Sequence, residues 1–304
     1  MSVFPKSSPL CASAAGLAIG VCATGWALPS YAFESLFQLL DHRESFAAQI
    51  PDGESHAEVA DGFLLGTGVE RIRHLPDGTL RIDRSRTYTR IRHPDDSHRF
   101  ATLPEPWFAQ ATLIVQPNLR LVRADTRFQF KRSGDAIFPG YKLSEHEGWL
   151  FDHDHSVLRT SPDGTRMTHQ EFDHGKVEAN ETYDYPSKSV PLELIGLQLS
   201  AAVARKLDQF DFELLVPGGS SHGVRATVHR TRDVRAFAKG YPIAPRHLTS
   251  PEMLAVIDLR LSSPVKYLFF PHHFYFAYSV AEPWKLMMLW GGDPDKNLQA
   301  FRTD

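Results

Sequence analysis

The residues best suited to chemistry in this chain are the histidines and carboxylates of Asp152-His153-Asp154-His155, followed by His169, Glu171, Asp173 and His174. Imidazole and carboxylate are the usual ligands of zinc and other first-row metals, and an ion with an open coordination position activates water for hydrolysis. Pro162-Asp163-Gly164 reads as a hairpin turn between the two groups. A hairpin centred on Asp163 sets His155 opposite Glu171 and His153 opposite Asp173. Opposed residues lie about 5 Å apart at Cβ and residues two apart share a face, so His153, His155, Glu171 and Asp173 would converge. A register one residue away pairs Asp154 with Asp173 instead and dissolves the site. The expected outcome is the solvated hairpin of mixed charge, with no catalytic ion and no cofactor.

The other chemical candidates are weaker. His272 and His273 are neighbours, and neighbours on a strand point to opposite faces, so the pair cannot chelate one ion. His222 sits in Gly218-Gly219-Ser220-Ser221-His222-Gly223, which lacks the Gly-x-Ser-x-Gly order of a nucleophile turn. Gly66-Thr67-Gly68 lacks the third glycine and the helix of a dinucleotide site. Glu145 and Glu147 cannot be told from surface acid. The only cysteines, Cys11 and Cys22, lie in the N-terminal apolar segment. Beyond it there is no thiolate nucleophile, disulfide or cysteine-ligated metal. Thirty-three Lys and Arg are spread among 36 Asp and Glu, for a formal charge of −3, so no basic footprint for nucleic acid is present.

The first residues give an address. Met1 to Lys6 is a short positive start, Leu10 to Leu28 is apolar and rich in Ala and Gly, and Ser30-Tyr31-Ala32 closes it with small residues at the two cleavage positions. This is the layout of a secretory signal peptide over residues 1–32, cleaved after Ala32 to leave a periplasmic protein. A retained membrane anchor would need about 20 strongly apolar residues, and Pro9 and Pro29 interrupt the segment. Lipid attachment at Cys22 would need a small residue before it, where Val21 stands. Residues 33–304 are expected to form one β-rich domain with its own core.

The elements that must position any site are mostly strands. Phe33 to Ile50 has the spacing of a short helix, and from Phe63 turn signals recur at Pro76-Asp77-Gly78, Asp173-His174-Gly175 and Pro217-Gly218-Gly219, bounding runs of strand length. Within the runs Phe128 and Phe130, Val224, Ala226 and Val228, and Ile257, Leu259 and Leu261 alternate with polar neighbours, giving one wet and one buried face. One segment breaks the pattern. Val190 to Leu207 places Leu192, Ile195, Leu199, Val203 and Leu207 on a helical stripe, with Ser189 as N-cap and Pro191 in the first turn. Ala236 to Pro251 reads as an irregular connection. The expected fold is mainly β (α+β): a long antiparallel curled sheet or half-barrel with one central buried helix.

The densest feature is apolar. Phe274, Phe276 and Tyr278, with Met288 and Trp290 on a following strand, form a wall that with Leu199 of the helix would either fill the core or hold an apolar ligand. The order of elements resembles exported bacterial proteins of unknown function whose sheet curls partly around a helix. The residues that carry the resemblance are Gly66-Thr67-Gly68-Val69-Glu70, Pro76-Asp77-Gly78, the helix from Val190 to Lys206, Phe212 to Pro217, and Leu289-Trp290-Gly291-Gly292. It covers most of Phe63 to Asp295, and the architecture is also similar to the half-barrel of periplasmic lipoprotein carriers. The resemblance implies a β half-barrel and brings no catalytic residue. Three functions follow as expectations: an envelope protein binding or carrying an apolar or lipid-like ligand, a metal-dependent hydrolase using the histidine hairpin, or an interaction protein pairing through a sheet edge.

Overall fold

The computed structural model describes residues 47–303, apart from 62–63, 94–95, 130–135, 139–140, 143–153, 217–218, 220, 242, 263–272 and 293–297. The strands are β1 (Gly53–Asp61), β2 (Leu64–His74), β3 (Leu80–His93), β4 (Asp96–Val115), β5 (Leu121–Gln129), β6 (Ala136–Phe138), β7 (Tyr141–Lys142), β8 (His155–Thr160), β9 (Arg166–Asp173), β10 (Lys176–Asp184), β11 (Ser189–Pro191), β12 (Gln209–Leu215), β13 (Ser221–Asp233), β14 (Thr249–Leu261), β15 (Phe274–Ser279), β16 (Leu286–Gly291) and β17 (Leu298–Arg302). A helix, α1 (Ile195–Ala204), follows a 3-10 turn at Leu192–Leu194.

Fifteen strands form one sheet in the order β10-β9-β8-β5-β4-β3-β2-β1-β17-β16-β15-β14-β13-β12-β11. Every pairing among the described residues is antiparallel except β11 on β12. The chain itself shows why this sheet curls. β10 and β11 are its two ends, yet only residues 185–188 separate them. That link reaches at most about 18 Å, whereas fifteen strands laid flat would span about 65 Å. The ends must therefore come round to meet, and the sheet remains unclosed because no ladder joins them among the described residues. Packing agrees: one cluster of buried residues takes Leu80, Ile82, Leu113 and Leu158 from one flank, Ala226, Ile257 and Phe276 from the other, and Leu199 and Ala202 of α1 between them. Hydrogen bonds hold the helix segment to both flanks, from Arg84 Nη1 to the Glu193 carbonyl (2.7 Å), Gln198 Nε2 to that of Leu119 (2.6 Å) and Tyr278 Oη to that of Gly196 (2.7 Å).

The helix is shorter than the sequence pattern implies. Ser189 and Pro191 belong to β11, so Ser189 is no N-cap, and Leu192 is 45% exposed although it lies on the apolar stripe. Pairing with β12 takes these residues before the helix begins. The expected helix from Phe33 falls outside the described residues, apart from its last turn at 47–50. The connection expected over Ala236 to Pro251 is irregular as far as Leu248, with turns and a 3-10 turn at Pro245–His247, and Thr249 to Pro251 already belong to β14. It has a task. With Val234, Ala238 and Ile243 it covers the convex face of β14–β17 and buries Val256, Tyr275, Ala277, Met288, Trp290 and Phe301. This second core is why the late strands carry aromatics on both faces.

At the N-terminal end, the His74 ring bridges Asp52 through Nδ1 (2.7 Å) and the Ala47 carbonyl through Nε2 (3.1 Å). The bond to Asp52 raises the His74 pKa above 6.5 against a smaller opposing effect of burial, and the same bond lowers that of Asp52 below 3.8. The His74 contribution is complete below its ordinary value and is lost as pH rises through the raised one; that of Asp52 is lost as pH falls through its lowered value. Protection of the Ile50 amide, which donates to Ala47, is therefore expected to fall above the His74 pKa in the wild type but not in His74→Asn. Hydrogen exchange against pH checks this, and a protection factor that stays constant in the wild type would count against it.

Candidate functional site

Directly opposed residues share a face, so the register fixes what lines the concavity. β3 turns Leu80, Ile82, Arg84, Arg86 and Tyr88 inward. The first two join the helix-side core. Tyr88 joins a separate apolar cluster with Val59, Leu64, Ile91, Leu103 and Trp107. Between the clusters the inner face changes character. Arg84 opposes Glu70 on one side and Ala111 on the other, and Arg86 opposes Gly68 and Ala109. Gly68 opposes Ala57, and Ala57 opposes Arg302, so Arg86, Gly68, Ala57 and Arg302 form one row across four strands. The result is a belt of small and charged side chains between two apolar regions.

Water reaches this belt. Arg84 and Glu70 form an ion pair of 2.6 Å with side chains 28% and 35% exposed, while Ile82 and Leu113, one step along the same face, are fully buried. The belt is bounded below by the start of the helix segment. There burial pushes the Glu193 carboxyl up, opposed by its own backbone N–H and by Arg84. Burial likewise raises the Tyr183 phenol, with Glu193 and Glu181 adding to the effect, and raises that of Tyr278, with Glu70 adding and Arg84 opposing. The floor is shaped by absence of side chains: a Cβ on Gly68 would stand 3.2 Å from Val59 Cγ1 and 3.8 Å from Arg86 Cγ, so the Arg86 stem already lies alongside it. The arrangement sets guanidinium groups beside apolar surface.

The six residues expected to form a ligand wall do not share one. Leu199, Phe276 and Tyr278 are buried in the core around the helix, and Phe274 is 40% exposed. Met288 pairs with Ala277 and Trp290 with Tyr275, so both leave the sheet on the convex face. Phe276 opposes Leu289 instead. The alternation within each strand is as expected, but the pairing between strands places the two halves of the supposed wall on opposite sides.

The histidine hairpin is also displaced by one residue. Its loop has four residues, with Ser161 N–H donating to Arg166 O, so it is centred between Asp163 and Gly164. Hydrogen bonds from Ser161 and Thr165 brace that loop and hold the Asp163 carboxyl down to about 2. His155 consequently opposes Phe172, stacks on it, and bonds Asp125 at 3.0 Å on the convex face. Glu171 opposes Ser156, on the other face, with buried His169. His155 is thus separated from Glu171 and Asp173, and His153 lies outside the described residues. Asp154, Asp173 and His174 do come together, and they clasp the next turn: Asp154 accepts the His174 N–H at 3.0 Å and Asp173 bonds its ring at 3.0 Å.

His273 has a structural partner. The buried Asp258 carboxylate bonds His273 Nδ1 (2.9 Å) and accepts from Arg260 Nη2 (2.6 Å), anchoring the start of β15. A shallow depression at the β11–β13 edge is lined by Lys188, Asp211, Glu213 and Ser262 among others, and Lys188 and Glu213 pair there at 3.0 Å.

No family model matches this chain, and no curated protein matches it. Among solved structures it is similar to the crystal structure of a beta-barrel-like protein of a domain of unknown function, DUF1849, from Brucella abortus. The TM-score is 0.46 with 6% sequence identity, over 83% of this chain and 94% of that one. The chain is a mainly β protein with a large curled sheet around one helix.

The belt residues Arg84, Arg86, Glu70 and Arg302 were not singled out by sequence reasoning. A signal exists in the inward series of β3, which runs Leu80, Ile82, Arg84, Arg86, Tyr88 and so changes from apolar to basic to aromatic without changing face.

Proposed function

We propose that this is an exported periplasmic protein that binds or carries an apolar or lipid-like ligand on the concave face of its sheet. The reading rests on one observation: between two buried apolar clusters the concave face carries the part-exposed Arg84–Glu70 pair, with part-buried Ala57, Ala109 and Ala111 and buried Gly68 standing where larger side chains would fill a core. A ligand burying about 200 Å² of apolar surface there would gain about 5 kcal/mol without any specific polar contact. The N-terminal segment ending at Ala32 supports the location.

The test is native mass spectrometry of protein expressed with its leader in a Gram-negative host and purified from the periplasm. The expected species begins at Phe33 and retains a lipid-sized mass, which Ala57→Leu/Ala109→Leu removes by filling the belt. A wild-type protein that retains nothing and binds no hydrophobic probe ends the carrier reading. One observation favours a second reading: β10 is the last strand of the sheet among the described residues and is exposed along most of its nine residues, including Val177 at 54%. Such an edge accepts a partner strand. The same spectra would then carry a second chain or a peptide in place of the lipid.

A further inference from the structure

We propose that the segment between β13 and β14 is a strap across the convex face of the sheet, latched at its C-terminal end by His247 and Arg246 on Phe301 and Glu58, and that mild acid releases this latch. The register places what the strap covers. Glu58, Phe301, Met288, Ala277, Val256 and His229 form one row across β1, β17, β16, β15, β14 and β13. The strap meets both ends of that row. At one end Phe237 packs on His229 at 5.0 Å between centroids and its carbonyl accepts from Trp290 Nε1 at 3.0 Å. At the other, the His247 ring stacks on Phe301 at 4.2 Å and 9°, and Arg246 Nη2 donates to the Glu58 oxygens at 2.6 and 2.5 Å.

The two ends are held differently. The first buries Val234 and Ala238 in the second core, whereas the 3-10 turn at Pro245–His247 buries no residue fully. Its ion pair is 64% and 46% exposed, and such pairs contribute little. The closed latch therefore depends on His247, whose side chain is only 14% exposed. Arg246 Nε donates to His247 Nε2 at 3.1 Å, which requires a neutral ring. A proton on Nε2 removes that bond and sets two cations side by side, with Glu58 Oε2 at 3.6 Å only partly offsetting them. Burial, and then Arg246, holds the His247 pKa below 6.5 against Glu58. The latch is at full strength above the ordinary value and weakens as pH falls through the lowered one. Other charged groups on the adjoining elements are paired: His56 of β1 with Glu54 (3.1 Å), Asp233 of β13 with Arg235 (3.4 Å), and Glu252 of β14 accepts from Ser279 (2.6 Å). Release uncovers Phe301 and Met288 and turns a closed face into an apolar one.

The experiment is hydrogen exchange of the mature protein between about pH 7.5 and about pH 5.5, corrected for intrinsic rates. The reporters are the Leu248 amide, which donates to Pro245, and the Val234 amide, which donates to Leu248. Their protection is expected to fall severalfold in acid while that of the Tyr241 amide, bonded to Ala238, holds. His247→Phe keeps a ring on Phe301 without a titrating group and should flatten the response; His229→Gln should leave it in place. If His247→Phe does not fold, His229→Gln decides alone: a retained fall supports the latch, and a lost one moves the effect to the other histidine and overturns it. Constant protection in the wild type, a fall that persists in His247→Phe, or an equal fall at Tyr241 also overturns it.

Discussion

Leu199→Asp is expected to abolish the cooperative thermal transition of the mature protein. Leu199 is fully buried in α1, where residues from both flanks of the curled sheet meet. An aspartate there is either ionised without a partner or protonated without a full set of hydrogen bonds, and each costs several kcal/mol. A domain of this size has about 5–15 kcal/mol in total, and the helix is what both flanks pack against. Leu192→Asp is the control. It belongs to the same apolar stripe in the sequence but is 45% exposed in the 3-10 turn, so its melting temperature should stay close to that of the wild type. Circular dichroism melts of the two variants decide the matter. A folded Leu199→Asp protein with a near-native transition would mean that the flanks do not close on the helix.

Trp290→Ala should have the second largest effect, and a different one. The ring is fully buried on the convex face, stacks on Tyr275 at 5.3 Å between centroids, and donates Nε1–H to the Phe237 carbonyl at 3.0 Å. Its loss removes a large side chain, at about 3–5 kcal/mol, and strands a carbonyl of the covering segment. The cover between β13 and β14 should then open before the sheet does. Limited proteolysis is expected to cut between Val234 and Leu248 in the variant while leaving the wild type intact. Equal resistance of both proteins would show that the cover does not depend on this anchor. Phe276→Ala, on the other face, should cost a similar amount without creating such a cut, because its cavity opens toward the helix.

The difference between these two residues marks how much was legible in advance. Phe276 and Trp290 read in the sequence as parts of one aromatic wall, since each lies in an alternating run. The structure pairs Trp290 with Tyr275 and Phe276 with Leu289, and one strand-to-strand step decides which face each takes. The histidine hairpin repeats the lesson: a four-residue loop in place of an odd one moves the register by a residue and sends His155 and Glu171 to opposite faces. Such a slip leaves composition and alternation unchanged, so neither can report it.

By itself the sequence determined what is local. Period-two alternation and Pro/Gly turns specified strands, sidedness and an antiparallel sheet; the all-apolar run around Leu199 specified a buried helix; the cysteines, confined to the first 22 residues, excluded thiol chemistry in the rest of the chain. Only the tertiary structure decided what is relative. The four-residue link from β10 to β11 forces the ends of the sheet together, the irregular segment after β13 becomes the lid of a second core, and Arg86 and Arg302, more than two hundred residues apart, fall in one row. The physical reason is common to all three. A residue's face is set by its own strand, but its neighbours are set by registers between strands that the chain visits at distant times, and the free energy choosing those registers is burial summed over the whole curl.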